Sequence, residues 1–249
     1  MSPLVLDRVG HAYLGRNILD DISLAVDAGE IAALVGPSGC GKSTLVHIAA
    51  GIVDPLRGRV SRAYRRHGMV FQEPRLLPWA TAEENIAFPL KVAGLSRNER
   101  RNRARRAAER VAFDESDFGK YPVELSGGMR QRVAIARALV VEPDFVYFDE
   151  PFTALDQALK RRLQDLVITA AREAAFGAIF VTHDLLEAAR IAHRIIVLDI
   201  AGKGVSGARA LSSAPGERSD REVFDVVQRF LAEDPLFRHV NDVDERRVA

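Results

Sequence analysis

Three observations predict an α/β chain with a mainly parallel sheet, an N-terminal antiparallel β portion and an inserted helical subdomain. Apolar strand-like runs alternate with helix-like stretches over most of the 249 residues, the pattern of parallel strands joined by helical crossovers. One run, Glu30–Val35, leads through a glycine-rich loop into a helical stretch. Two helix-start signatures, at Thr81–Glu84 and Ser96–Glu99, then interrupt the alternation between two strands.

Taken in order, Leu4–Val9 and Ile22–Val26 read as short strands, the second alternating apolar and polar residues. Lys42–Ala50 is a helix stopped by Gly51, and Gly68–Phe71 is a strand ending at Gln72. The capping boxes start two helices, Gly94 stops the first, and residues 74 to about 140 form the helical insertion. Asp144–Phe148 is a buried strand running into Asp149 and Glu150. Leu155, Leu159, Leu163, Leu166 and Ala170 recur at helical spacing and mark a core-facing helix. Ala178–Val181 is a strand before Thr182 and His183, Asp184–Ala192 a short helix, and Ile195–Leu198 the final strand. Gly202–Ser219 reads as a linker or loose hairpin and Glu222–Leu231 as a terminal amphipathic helix.

Composition excludes more than it assigns. A net charge of +1 provides no overall field towards nucleic acid or membrane. The Arg-rich run Arg97–Arg106 has no interleaved aromatics to stack bases, so it reads as a solvated helix face, and no nucleic-acid partner is expected. Cys40 is the only cysteine, so no intrachain disulfide forms. No signal peptide is expected, and the longest apolar runs are too short to span a bilayer.

The loop Gly36-Pro37-Ser38-Gly39-Cys40-Gly41-Lys42-Ser43-Thr44 fits G-x-x-x-x-G-K-[ST] at every fixed position. Its glycines let backbone N–H groups close on an anion at a helix N-terminus. Lys42 would reach the β- and γ-phosphates of a nucleotide, and the Ser43 hydroxyl would ligate Mg²⁺. Asp149, after the apolar Phe145–Phe148, has the form of a Walker B carboxylate that holds Mg²⁺. Glu150 beside it is a candidate general base for attacking water. Alone, such a pair would read as a helix cap or solvated turn; the phosphate loop upstream reverses that reading.

A second motif, Leu125-Ser126-Gly127-Gly128-Met129-Arg130-Gln131-Arg132, lies downstream. With the phosphate loop and Walker B it resembles the ATP-binding subunit of ABC (ATP-binding cassette) transporters over roughly residues 4 to 200. The resemblance implies one ATPase domain over residues 1–231, followed by a tail, 232–249. Tyr13 sits where such proteins stack an aromatic on adenine, although a strand aromatic alone would be half-buried packing. Gln72 matches the glutamine near Mg²⁺ and the attacking water. Ser126, Gly127 and Gly128 match the signature that contacts ATP held by a second, head-to-tail copy. Ala154-Leu155-Asp156 matches the D-loop, and His183 the switch histidine. Met129 departs from the commoner Gln, as in several importer subgroups.

The stretch Gln72-Glu73-Pro74-Arg75-Leu76-Leu77-Pro78-Trp79 is similar to one in bacterial importer ATPases of the nitrate/sulfonate/taurine group, which includes thiamine-precursor pyrimidine systems. The family places a permease coupling helix near this region. Leu76 and Trp79 therefore have two readings, anchors for that contact or packing inside the helical lobe. The importer reading implies transmembrane permease subunits, a solute-binding protein, an ATP-dependent homodimer, and a peripheral location on the cytoplasmic face of the inner membrane. A soluble ABC ATPase uncoupled from transport is the alternative.

Overall fold

The computed structural model describes residues 3–153, 155–199 and 203–240. In chain order the strands and helices are β1 (Leu4–Tyr13), β2 (Arg16–Val26), β3 (Ile31–Val35), α1 (Lys42–Ala50), β4 (Arg57–Arg62), β5 (His67–Val70), α2 (Ala82–Ala87), α3 (Arg97–Arg110), α4 (Gly127–Leu139), β6 (Phe145–Asp149), α5 (Gln157–Ala174), β7 (Gly177–Val181), α6 (Leu185–Ile191), β8 (Arg194–Leu198), β9 (Val205–Ala210) and α7 (Asp220–Glu233). They fall into two compact units, one of residues 1–64 with 177–249, the other of residues 65–176.

In the first unit, β1 pairs with β2 and with β4 in an antiparallel sheet. Both β1 and β2 run longer than their apolar cores predict. Leu14 (φ 48°) and Gly15 (φ 78°) close a two-residue hairpin whose paired positive φ angles match the strand twist and extend the ladder to Tyr13 and Arg16. β4 was not anticipated: Arg57-Gly58-Arg59-Val60-Ser61-Arg62 is polar and mostly exposed, and only backbone pairing with β1 makes it a strand.

The same unit contains a parallel set in which β3 lies between β7 and β8. Every residue of β3 and of β7 is buried, as unbroken apolar runs in a sheet covered on both faces require. β8 is not the last strand. Val205–Ala210, inside the stretch read as a linker or loose hairpin, returns antiparallel beside it as β9, in line with the hairpin reading. α7 starts at Asp220 because Ser219 and Glu222 form a capping box. The chain does not loosen after Leu231: Phe237 is fully buried and stacks on Phe230 with ring centroids 4.6 Å apart. Of the expected tail, residues 241–249 lie outside the described residues.

In the second unit β5 and β6 pair in parallel. Both predicted capping boxes are present, Thr81 with Glu84 and Ser96 with Glu99. The helix begun at Thr81 tightens to 3-10 geometry over Phe88–Ala93 and stops at Gly94 (φ 68°). The buried face of α5 is Leu163, Gln164, Val167, Ile168, Ala170 and Ala171, rotated from the leucine stripe read in the sequence. Leu155, Leu159 and Leu166 are only half-buried. No described helix is long and apolar enough to cross a membrane.

Candidate functional site

The loop after β3 forms because Gly36, Gly39 and Gly41 turn the chain through positive φ. At Gly41 (φ 100°) a Cβ would sit 2.7 Å from Leu19 Cδ2, so the residue that opens α1 has to be glycine. α1 has no side-chain cap and no acid in its first turn. The loop thus delivers the positive end of the helix dipole uncapped by its N-cap side chain, the setting an anion fills. Lys42 is 6% exposed, with its ammonium inside the loop on the carbonyls of Gly36 and Pro37, each at 2.8 Å. Cys40 is buried within the same loop, whereas Ser38 is exposed and Ser43 and Thr44 are half-buried. This cradle, with its inward cation, fits a phosphate chain.

Sheet register brings His183 to the same edge. Leu34 pairs with Val181, and the Thr182 N–H donates to the Leu34 carbonyl at 3.3 Å. His183, exposed, thus follows β7 at the carboxyl edge where β3 releases the loop, the edge at which ligands of parallel sheets bind. Tyr13, at the end of β1, is 47% exposed, with its ring edge-on to buried His11 at 4.7 Å. An accessible aromatic face suits a stacking platform better than core packing.

In the second unit, Val70 pairs with Phe148, which brings Gln72 and the Asp149–Glu150 pair to the carboxyl edge of β5 and β6. Asp149 is buried and Gln72 exposed. Glu150 has φ 46°, a left-handed conformation that costs a non-glycine residue roughly 1–2 kcal/mol. Its carboxylate Oε2 accepts from the Thr153 hydroxyl at 3.2 Å, a contact the sequence reading missed.

The stretch after Gln72 is fastened from beneath. Arg137 donates to the carbonyls of Pro74 and Arg75 at 2.6 and 2.9 Å, and burial lowers the pKa of its guanidinium. The fully buried Asn85 donates to Leu77, Ala80 and Thr81 carbonyls and accepts from the Leu77 N–H at 2.7 Å. Neither residue was singled out by sequence reasoning; a polar residue on the buried side of a short helix was the available signal. With its backbone held this way, Trp79 is 74% exposed, which removes packing inside the helical lobe as its role.

At the signature, Ser126 caps α4, its hydroxyl accepting from the Met129 N–H at 3.2 Å, with no acid in the first turn. Arg130 braces the approach through the Leu125 carbonyl at 2.7 Å. Gly128 is buried, and a Cβ there would fall 2.2 Å from Leu159 Cδ2. Gly127 is exposed and a Cβ there would meet open space, so packing around it does not explain the glycine. Asp156 caps α5, accepting from the Leu159 N–H at 3.0 Å. Ala154 of the D-loop lies outside the described residues.

The ABC transporter family profile matches residues 19–153, more than half of the chain. The chain belongs to the ABC transporter family. It is 39% identical over 230 residues to the taurine import ATP-binding protein TauB of Pseudomonas aeruginosa, covering 89% of this chain and 85% of TauB. To the aliphatic sulfonates import ATP-binding protein SsuB of Bacillus licheniformis it is 44% identical over 196 residues, covering 76% and 75%. Among solved structures it is similar to the dimeric, post-hydrolysis ATP-binding cassette MJ0796 bound to ADP and phosphate. The TM-score is 0.76 and the identity 30%, covering 84% of this chain and 99% of that one. This ABC cassette is an ATPase.

Proposed function

We propose that this ATPase energises uptake of a small sulfonate-like solute, taurine or an aliphatic sulfonate, through a separate transmembrane permease, from a peripheral position on the cytoplasmic membrane face. Support for coupling comes from the stretch Gln72–Trp79, whose backbone is fixed by Arg137 and Asn85 while Trp79 stands in solvent. A rigid backbone presenting an exposed aromatic suits a partner contact. The solute itself is selected by the permease and a solute-binding protein.

In this reading Tyr13 stacks on adenine, and the N–H groups of Gly39 to Thr44 with Lys42 hold the phosphates. No described cluster of three or more His, Cys, Asp or Glu could cage a metal. Mg²⁺ binds through substrate phosphates and one or two protein oxygens rather than an all-protein cage. Ser43, Asp149 and Gln72 would supply those oxygens, and bound Mg²⁺ would neutralise developing charge on the phosphates. Glu150 takes a proton from water as its oxygen attacks the γ-phosphorus; the bond to the β-phosphate bridging oxygen breaks, giving ADP and phosphate. His183 contacts the γ-phosphate. Ser126, Gly127 and Gly128 of a second copy close over the same nucleotide, with Asp156 at that junction.

Uptake of radiolabelled taurine by cells dependent on this chain tests the proposal. Trp79→Ala should leave the ATPase rate and thermal midpoint of the isolated chain unchanged and reduce uptake. Unchanged uptake would remove Trp79 from the coupling contact, and an Asp149→Ala, Glu150→Gln double variant with full uptake would overturn the transport role.

A further inference from the structure

A buried acid–hydroxyl lock brackets His183. Thr182 and Glu187 are 1% and 5% exposed. The Thr182 hydroxyl donates to Glu187 Oε2 and accepts from the Asp184 N–H at 3.0 Å. Asp184 in turn caps α6, its Oδ1 accepting from the N–H groups of Leu186 and Glu187 at 2.9 and 3.3 Å. On the other side, the Thr182 N–H is held by the Leu34 carbonyl. The residues on both sides of His183 are therefore fixed: the Thr182 N–H ties the strand side to the strand that carries the phosphate loop, and the Thr182 hydroxyl ties it to Glu187 of α6 and to the Asp184 N–H.

We propose that Glu187 is a positioning residue that sets the backbone presenting His183 to the γ-phosphate; the inference rests on the reading of His183 given above. Glu187 is buried among the apolar Leu185, Ala188, Ala189 and Ile191 of α6, with exposed Leu186 and half-buried Arg190 also beside it on that helix. Packing alone would be served better by an apolar side chain there, because a buried carboxylate is costly unless its hydrogen bonds are used. One bond it makes is to Thr182, the residue adjacent to His183. A carboxylate oxygen accepts along a defined direction, so it fixes the Thr182 rotamer, which methyl packing would leave free.

The test compares Glu187→Leu, Glu187→Gln, Thr182→Val and Thr182→Ser with His183→Ala, measuring kcat, KM for ATP and thermal midpoint. Glu187→Leu and Thr182→Val should each lower kcat about tenfold or more with KM within about twofold, the signature of an interaction that matters in the transition state. Glu187→Gln retains an acceptor and Thr182→Ser a hydroxyl, so both should recover most of the rate. Joining Glu187→Leu to Thr182→Val should cost no more than the worse single change. Full kcat in Thr182→Val, with His183→Ala inactive, overturns the lock and leaves the His183 reading intact. Full kcat in His183→Ala overturns that reading and the lock together. If Glu187→Leu does not fold, the Thr182 pair decides alone.

Discussion

The Lys42 ammonium lies 2.8 Å from the carbonyl oxygen of Gly36, six residues earlier in the same loop. The cation is thus built into the interior of the turn that its own backbone encloses. An ammonium has three donors; two go to the Gly36 and Pro37 carbonyls and Cys40 Sγ lies 3.9 Å away, so all the partners that hold the cation come from the loop itself.

Removing it should cost binding. Lys42→Ala is expected to weaken ATP affinity by about 10- to 100-fold, the equivalent of one charge-assisted hydrogen bond of roughly 1.5–3 kcal/mol. Lys42→Arg should not rescue it, because a planar guanidinium does not fit where a compact ammonium meets two carbonyls. Titration with a fluorescent ATP analogue reads both.

Gly127 and Gly128 separate packing from function. Because a Cβ at Gly127 meets open space, Gly127→Ala should raise the thermal midpoint slightly, by up to about 1 kcal/mol of helix propensity. At Gly128 the Leu159 side chain would have to move, so Gly128→Ala should be the less stable of the two. Gly127→Ala should nevertheless lower ATPase activity if, as proposed, the surface it alters closes over the nucleotide of the other copy. Parallel thermal melts and ATPase assays check the ordering.

Glu150 carries backbone strain at the position assigned to the general base. Glu150→Gly should stabilise the fold by about 0.5–1 kcal/mol, the relief of a positive φ less the entropy of an added glycine. It should also abolish hydrolysis. Denaturant midpoints for Glu150→Gly and Glu150→Gln separate the two effects, as only glycine relieves the backbone.

Acid should loosen the first unit through His193. Burial lowers its pKa; Glu30 opposes the shift, Arg218 reinforces it, and the bond from the Ile31 N–H to Nδ1 at 3.0 Å is the one that protonation breaks. Since the fold prefers neutral His193, the unfolded chain binds more protons once pH falls below its unperturbed value of about 6.5. His193's contribution to stability is therefore complete above that value and declines on acidification towards the depressed folded pKa. Urea midpoints at several pH values should show this slope, and His193→Gln should flatten it.

The motif-bearing parts of the fold were legible because backbone chemistry writes them locally. The glycines at 36, 39 and 41, the capping boxes at Thr81 and Ser96, and the buried β6 run before Asp149 each need only neighbouring residues. β4 was not, and β9 only as a loose hairpin, because Arg57–Arg62 and Val205–Ala210 become strands only by pairing with β1 and β8. The α5 stripe was only partly placed for a related reason: Leu163 and Ala170 are buried as read, but where Leu159 and Leu166 also match the helical period, tertiary packing chose Val167 and Ile168. The Thr182–Glu187 bond and the Asn85 and Arg137 clamps join side chains to partners that spacing alone does not reveal.

The central claim is that ATP is held between two copies of this chain, by the phosphate loop of one and the Ser126–Gly128 signature of the other. Light scattering on purified Glu150→Gln, with and without Mg-ATP, tests it most directly. The account predicts a 27.4 kDa monomer that becomes a dimer only with nucleotide, and reverts when Ser126→Arg is added. A chain that binds ATP yet stays monomeric, or a dimer indifferent to Ser126→Arg, would contradict it.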